Sequence, residues 1–151
     1  MAVVLKLVDV RGIQIKGEST LTGHIGEIDV LAWNWGVTAP VGVKLDILNM
    51  SIQKSFDLAS PIILAKTTNN EILQSGVLTV IDQQGTDKLV VTFKKIKVES
   101  LNIVEEPKEY PPAENITFQF DEIEFKYQGE DVVVKRSATL GRQKTIARPK
   151  R

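Results

Sequence analysis

The sequence predicts a mainly β protein, an antiparallel β-barrel or sandwich with one short α-helix. Apolar residues recur with period 2 along most of the chain, which is the spacing of strands. In three long segments the parity of that alternation flips partway, as in strands bent by bulges or corners. One segment only carries helix-start chemistry, at Ser60-Pro61.

Val4 to Leu7 opens the first strand, and Ile13-Gln14-Ile15 alternates next. Gly17 to Gly26 is rich in Gly, Thr and Ser and is expected to form a polar loop. Glu27 to Trp35 is expected to be one strand with both faces apolar: Ile28, Val30 and Ala32 point one way, Leu31, Trp33 and Trp35 the other. Such a strand needs a second cover besides its own core, for which a neighbouring subunit is one candidate.

Val43, Leu45 and Ile47 alternate, then Leu48, Met50 and Ile52 in the opposite parity. Ser60 is the expected N-cap of the helix, Pro61 its first residue, and Asn69-Asn70 its end. Gln83 to Asp87 turns a hairpin between Val77–Ile81 and Lys88–Phe93. Leu89, Val91 and Phe93 shift to Ile96 and Val98, then to Leu101 and Ile103. Ile116, Phe118 and Phe120 shift likewise to Ile123, Phe125 and Tyr127. Long strands with such shifts are strongly curved, which is how a sheet turns a corner. Glu105 to Ala113, with three prolines, is a surface loop, and Val132–Val134 is a last short strand.

The chain has 151 residues, 42% hydrophobic and 25% charged, enough for one folded domain with its own core. There is no apolar run long enough to cross a membrane as a helix. The N-terminus lacks the basic and apolar regions of a signal peptide, so export would need another route. With no cysteine, disulfide, thiolate-metal and cysteine-nucleophile chemistry are excluded, and a single histidine excludes a multi-histidine zinc site.

The net charge of +0 averages two unlike parts. All 19 acids lie at or before Asp131, against twelve Lys and Arg in residues 1–134, leaving −7; residues 135–151 carry seven basic residues and no acid, +7. The expected organisation is a domain over 1–134 and a basic tail over 135–151. Such a tail suits a nucleic-acid or membrane-surface contact, but composition favours a solvated or inter-subunit tail.

Candidate chemistry is sparse. His24 sits in the polar loop beside Glu18, Ser19, Thr20 and Thr22; without further parts of a site it is expected to be a hydrogen-bonding loop residue. Glu122 and Glu124 share a strand face with Lys126, an arrangement open to acid–base work on a sugar but equally the wet face of a strand, which is favoured. Lys94, Lys95 and Lys97 lack the interleaved exposed aromatics of an oligonucleotide platform, because the parity of Phe93 places it in the core. Trp33 and Trp35 are core or interface anchors unless exposed. No phosphate-binding or dinucleotide glycine motif is present, and no catalytic, cofactor or metal-binding residue is assigned.

Gly17-Glu18-Ser19, then His24 and Gly26 to Gly36, resemble the N-terminal signature of the haemolysin-coregulated protein (Hcp) family. Ala59-Ser60-Pro61, Leu78-Thr79-Val80 with its hairpin, and Glu114 to Phe120 resemble three further family segments in the same order, so that the resemblance spans roughly residues 3–128. It implies a structural, non-enzymatic subunit of the bacterial type VI secretion inner tube. Such a subunit forms homohexameric rings that stack, works with sheath, spike and effector proteins, assembles in the cytoplasm and is exported with its cargo. The expected subunit contact comprises Val30, Ala32, Asn34, Val37 and Thr38. The segment Gly36–Gly42 is shorter than the family's long loop, which predicts smaller contacts between rings. An alternative from a different class is a binding or adaptor module whose basic tail contacts nucleic acid or another protein.

Overall fold

The computed structural model describes residues 1–39, 41–42, 46–104, 111–136 and 143–146. Strands dominate: β1 (Ala2–Asp9), β2 (Gln14–Ile15), β3 (Ile28–Asp29), β4 (Ala32–Asn34), β5 (Val37–Thr38), β6 (Asp46–Ile47) and β7 (Met50–Ser55) precede helix α1 (Ala59–Thr68). After it come β8 (Ile72–Ile81), β9 (Asp87–Val104), β10 (Ala113–Gln119), β11 (Glu122–Tyr127), β12 (Glu130–Arg136) and β13 (Gln143–Ile146). The architecture is the expected antiparallel one with a single short helix among the described residues.

The 18-residue strand β9 is the spine. On one side it pairs with β8 from Asp87 to Lys97. On the other it pairs first with β11, over Leu89–Lys94, and then with β10, over Lys97–Val104. The changeover falls at Lys95, whose φ of 55° is left-handed, and Asp121 N donates to Lys94 O at 3.1 Å there. A second irregularity, between Thr117 and Phe118, shifts the β9–β10 register by one residue. These are the two parity flips expected along 89–103. Each inserts one residue and bends the strand; across the first, Val91, Phe93, Ile96 and Val98 are all buried, whereas after the second Leu101 packs on the core and Ile103, expected to share its face, is exposed.

From β9 the sheet continues through β10 to β7 and β4, and through β8 to β1, which carries β2 and β3. The ladder stays open, as in a sandwich. The segment 28–34 lies between its two ends. Val30 N donates to Val3 O (2.9 Å), whereas Leu31 N donates to Gln53 O on β7 (2.7 Å).

This change of partner corrects the expectation of one continuous strand over Glu27–Trp35. At the switch the alternation loses a step, so Ile28 and Val30 are buried and Trp33 and Trp35 also pack on the core. Leu31, Ala32 and Asn34 face outward. The flip near Ile47-Leu48 is likewise a break between β6 and β7, while residues 43–45 of that expected strand lie outside the described residues. So do 105–110 of the expected proline-rich loop. The chain adds β13, paired with β12 at Lys135↔Lys144 and Arg136↔Gln143, beyond the strand expected to be last.

Phe93 anchors the core, with ring centroids 5.6 Å from Phe118 and 5.8 Å from Phe120. Gly76 lies directly opposite it on β8. A Cβ there would sit 2.7 Å from the Phe93 ring, so the aromatic occupies the space a side chain would need.

The helix start also departs from expectation. Ser60 is the second residue of α1 rather than its cap. Asp57 performs the capping: its Oδ1 accepts from Ala59 N (3.0 Å), and its own N–H donates to Ser60 Oγ (2.9 Å). Glu18, from the 17–26 loop, accepts from Leu58 N at 2.9 Å. Four N–H groups are orphaned at any helix start, and these acceptors satisfy part of that demand. The end is as expected: Asn69 N donates to Ala65 O, and Asn70 takes a left-handed φ of 57°.

Ser60 is instead drawn into a buried ionic cluster. Lys54 on β7 and Glu114 on β10 are direct cross-strand partners, both 0% exposed. Lys54 Nζ shares its three N–H donors among four oxygens: Glu114 Oε1 at 2.6 Å, Asp57 Oδ1 at 2.8 Å, and Ser60 Oγ and Ser55 O at 2.9 Å. Ser60 Oγ donates in turn to Glu114 Oε1. The cluster fastens the start of α1 to the inner face of β7 and β10. Sequence pattern alone missed it, although Lys54 continues the inward parity of Met50 and Ile52, and Glu114 that of Ile116 and Phe118.

Two stability measurements follow. Gly76→Ala is expected to cost about 1–3 kcal/mol, because overpacking forces Phe93 off its position; a denaturant midpoint equal to wild type would contradict the contact. Lys54→Met strands a buried carboxylate and is expected to cost about 3–5 kcal/mol, whereas Lys54→Met with Glu114→Leu should recover most of that loss. Equal destabilisation by the single and double variants in urea titrations would contradict pairing of the two charges.

Candidate subunit-contact face

The structure divides the five expected contact residues. Val30, 7% exposed, belongs to the protein's own core and has no face to offer. Ala32 and Asn34 lie exposed on β4, and Val37 and Thr38 lie exposed on β5. β5 pairs with β6 through Val37↔Ile47 and Thr38↔Asp46 to make a separate two-stranded hairpin, closed at its base by Leu48 N donating to Gly36 O (3.1 Å). Leu31, Val37, Val41 and Leu48 are large apolar side chains left exposed on this part of the surface.

Ala32 and Asn34 belong to a wider outward face. Their register partners on β7 are Gln53 and Ser51, which pair with Asn115 and Thr117 on β10; those pair with Asn102 and Ser100 on β9. All eight positions across four strands are uncharged, on a chain that is 25% charged. A shallow depression of about 310 Å³ lies over this face, lined by Asn34, Ser51, Gln53, Asn115 and Thr117 among others. Amides and hydroxyls of this kind can exchange water for a partner's polar groups without desolvating a full charge, which is the costly step at a contact.

The remaining candidates fall elsewhere. Trp33 and Trp35 are half-buried, and Trp35 packs against Phe125 with centroids 5.0 Å apart, so they serve the core rather than an open stacking platform. Glu122 lies between Lys94 (3.8 Å) and Lys135 (3.7 Å), in a row of partly solvated cross-strand ion pairs. Lys95 and Lys97 are exposed near Phe120, which is itself buried. His24 has a carboxylate at each ring nitrogen, Glu27 and Asp87. Among the described residues no group of three or more His, Asp or Glu is arranged to hold a metal ion, and no helix is long and apolar enough to cross a membrane.

Residues 5–127 match the family described as "Type VI secretion system effector, Hcp". The chain is 27% identical over 126 residues to the protein hcp1 of Pseudomonas aeruginosa, covering 76% of this chain and 78% of that one. Its fold is similar to that of Hcp1 from the E. coli EAEC 042 pathovar, with a TM-score of 0.79, 20% identity and 97% of both chains covered. It is also similar to Hcp1 from Salmonella typhimurium, with a TM-score of 0.74, 22% identity, and 95% of this chain and 100% of that one covered. A family match over most of the chain places this protein in the Hcp family of type VI secretion system proteins.

Proposed function

We propose that the chain is a structural subunit of the type VI secretion inner tube. It assembles in the cytoplasm into homohexameric rings, the rings stack, and the tube works with sheath, spike and effector proteins and leaves the cell with its cargo. The observation that carries this proposal is the outward surface of β4 and the β5–β6 hairpin. Ala32, Asn34, Val37 and Thr38 border exposed Leu31 and Leu48, next to a charge-free face four strands wide. An apolar surface rimmed by neutral polar groups is the composition of a protein–protein contact. A head-to-tail contact closes only as a ring or runs on as a filament, and a tube uses both.

A charge placed in this contact would be desolvated without a partner. Asn34→Lys and Val37→Asp are each expected to weaken ring formation at least tenfold, about 1.4 kcal/mol, while leaving the far-ultraviolet circular dichroism unchanged. Light scattering and negative-stain images of the purified variants test this. Rings as abundant as in wild type would remove these residues from the contact.

Stacking is expected to rest less on the short hairpin than on charge. Residues 135–151 carry +7 against the −7 of residues 1–134; although 135–136 and 143–146 pair within this sheet, the basic charge at this end of one subunit can meet the acidic body of the next ring. Contacts of this kind are screened within about 8 Å at physiological ionic strength. The full chain is expected to form longer tubes than a chain ending at Ile146, which keeps β12 and β13 intact and removes Arg148, Lys150 and Arg151, and added salt should erase the difference. Equal tube lengths for both chains at low and high salt would exclude a role for the tail. Salt-sensitive retention of nucleic acid by the full chain would instead favour the adaptor alternative.

A further inference from the structure

His24 lies outside the proposed contact face and is held at both ring nitrogens. Its Nδ1 lies 3.0 Å from Glu27 Oε1 and its Nε2 lies 2.9 Å from Asp87 Oδ1, with the side chain 12% exposed. Neutral imidazole has one N–H and one lone pair, so it can satisfy only one of two carboxylates; only imidazolium donates from both nitrogens. The geometry is therefore that of a protonated histidine.

The two ties differ in reach. Glu27 is three residues away in the same loop, which is zipped at its base by Gly17 N to Gly26 O (2.8 Å), Gly26 N to Ser19 O and Ser19 N to Glu27 O (both 2.9 Å). Asp87 belongs to the first residue of β9, at the end of the 82–87 hairpin, and is 63 residues away. The other charges of that hairpin, Asp82 and Lys88, pair with each other at 3.7 Å. At the far side of the loop Glu18 is occupied at the start of α1. Glu27 and Asp87 are thus the charged groups the structure brings to His24.

We propose that the 17–27 loop is a proton-operated strap: His24, when protonated, ties the loop tip to the β8–β9 hairpin through Asp87, and loss of its proton opens that tie. On deprotonation the short-range bond to Glu27 is retained through Nδ1–H, and the Nε2 lone pair faces the Asp87 carboxylate. The long-range contact is then repulsive. The loop base, held by backbone bonds that do not titrate, stays closed, so the motion is confined to residues 20–25 and the hairpin. Ile25, 76% exposed, is carried on that tip, so the strap positions an apolar side chain at the surface.

The electrostatic balance agrees. Burial pulls the His24 pKa down, but the hydrogen bonds to Asp87 and Glu27 and their charges outweigh it, and the net direction is upward from 6.5. A histidine whose pKa is higher when folded than when unfolded contributes its full stabilisation below the unfolded value. That contribution fades as pH rises through the raised folded value. The tie is therefore closed in mildly acidic solution and opens on the alkaline side of 6.5.

Because His24 is the chain's single histidine, its titration can be read without assignment ambiguity. The imidazole Cε1–H signal of the full chain is followed by NMR against pH, together with hydrogen exchange of residues 20–25 and 82–87 corrected for intrinsic rates. The wild type is expected to titrate above 6.5, and exchange of the loop tip should rise severalfold through the same midpoint. Asp87→Asn should lower the midpoint by about one unit. His24→Gln should leave tip exchange high and without a step in pH. A midpoint at or below 6.5, an unchanged midpoint in Asp87→Asn, or tip exchange without a step in the wild type would each overturn the strap. These readouts are made within one subunit and are independent of ring formation.

Discussion

The interaction on which the rest of the structure depends is the buried pair of Lys54 and Glu114. Two charges at inward positions of adjacent strands are tolerable only when they meet. A two-residue slip of β10 along β7 would keep every apolar side chain facing inward, so hydrophobic pattern alone does not forbid it. The same slip would set Lys54 opposite Ile116 and leave both charges buried and alone. The pair thus specifies register, and through Asp57 and Ser60 it specifies where α1 starts.

With β7 and β10 held in register, the bends of β9 determine the rest. Lys95 marks the point where β9 exchanges β11 for β10, and the bulge near Thr117 adds further twist. A sheet so curved brings β1 and β7 to opposite sides of a gap one chain wide, and the 28–34 segment fills it. Its change of partner between Val30 and Leu31 turns Val30 inward and Ala32 and Asn34 outward. The composition of the candidate contact is therefore a consequence of curvature built elsewhere in the chain.

The proposed contact would leave the chain stable alone and still able to associate. A strongly apolar face would aggregate, and a charged one would cost heavy desolvation on association. Amides and hydroxyls over four strands, with a few apolar side chains beside them, lie between these extremes. The charge is kept in other places: in paired rows such as Lys94–Glu122–Lys135, and in the imbalance between body and tail.

Much was legible in the sequence for physical reasons. Period-2 alternation is a local property of a strand, so the β class, the short helix, the hairpin at 82–87 and the burial of Phe93 could be read from neighbours in the chain. So could the bends of β9, because a bulge leaves its signature in the parity of nearby residues; the parity shift between Phe120 and Ile123 marks instead a break between β10 and β11. The order of the signature segments already pointed to the Hcp family. What only the tertiary structure decided depends on partners distant in sequence. Glu114 claimed Ser60 for the ionic cluster and left the capping to Asp57. Asp87, 63 residues away, made His24 a bridge between two carboxylates. The sides of Val30 and Trp33 were settled by which edge each half of 28–34 could bond. A residue's parity is set by its neighbours in the chain, but its hydrogen-bond partner is set by whichever strand the curved sheet brings alongside.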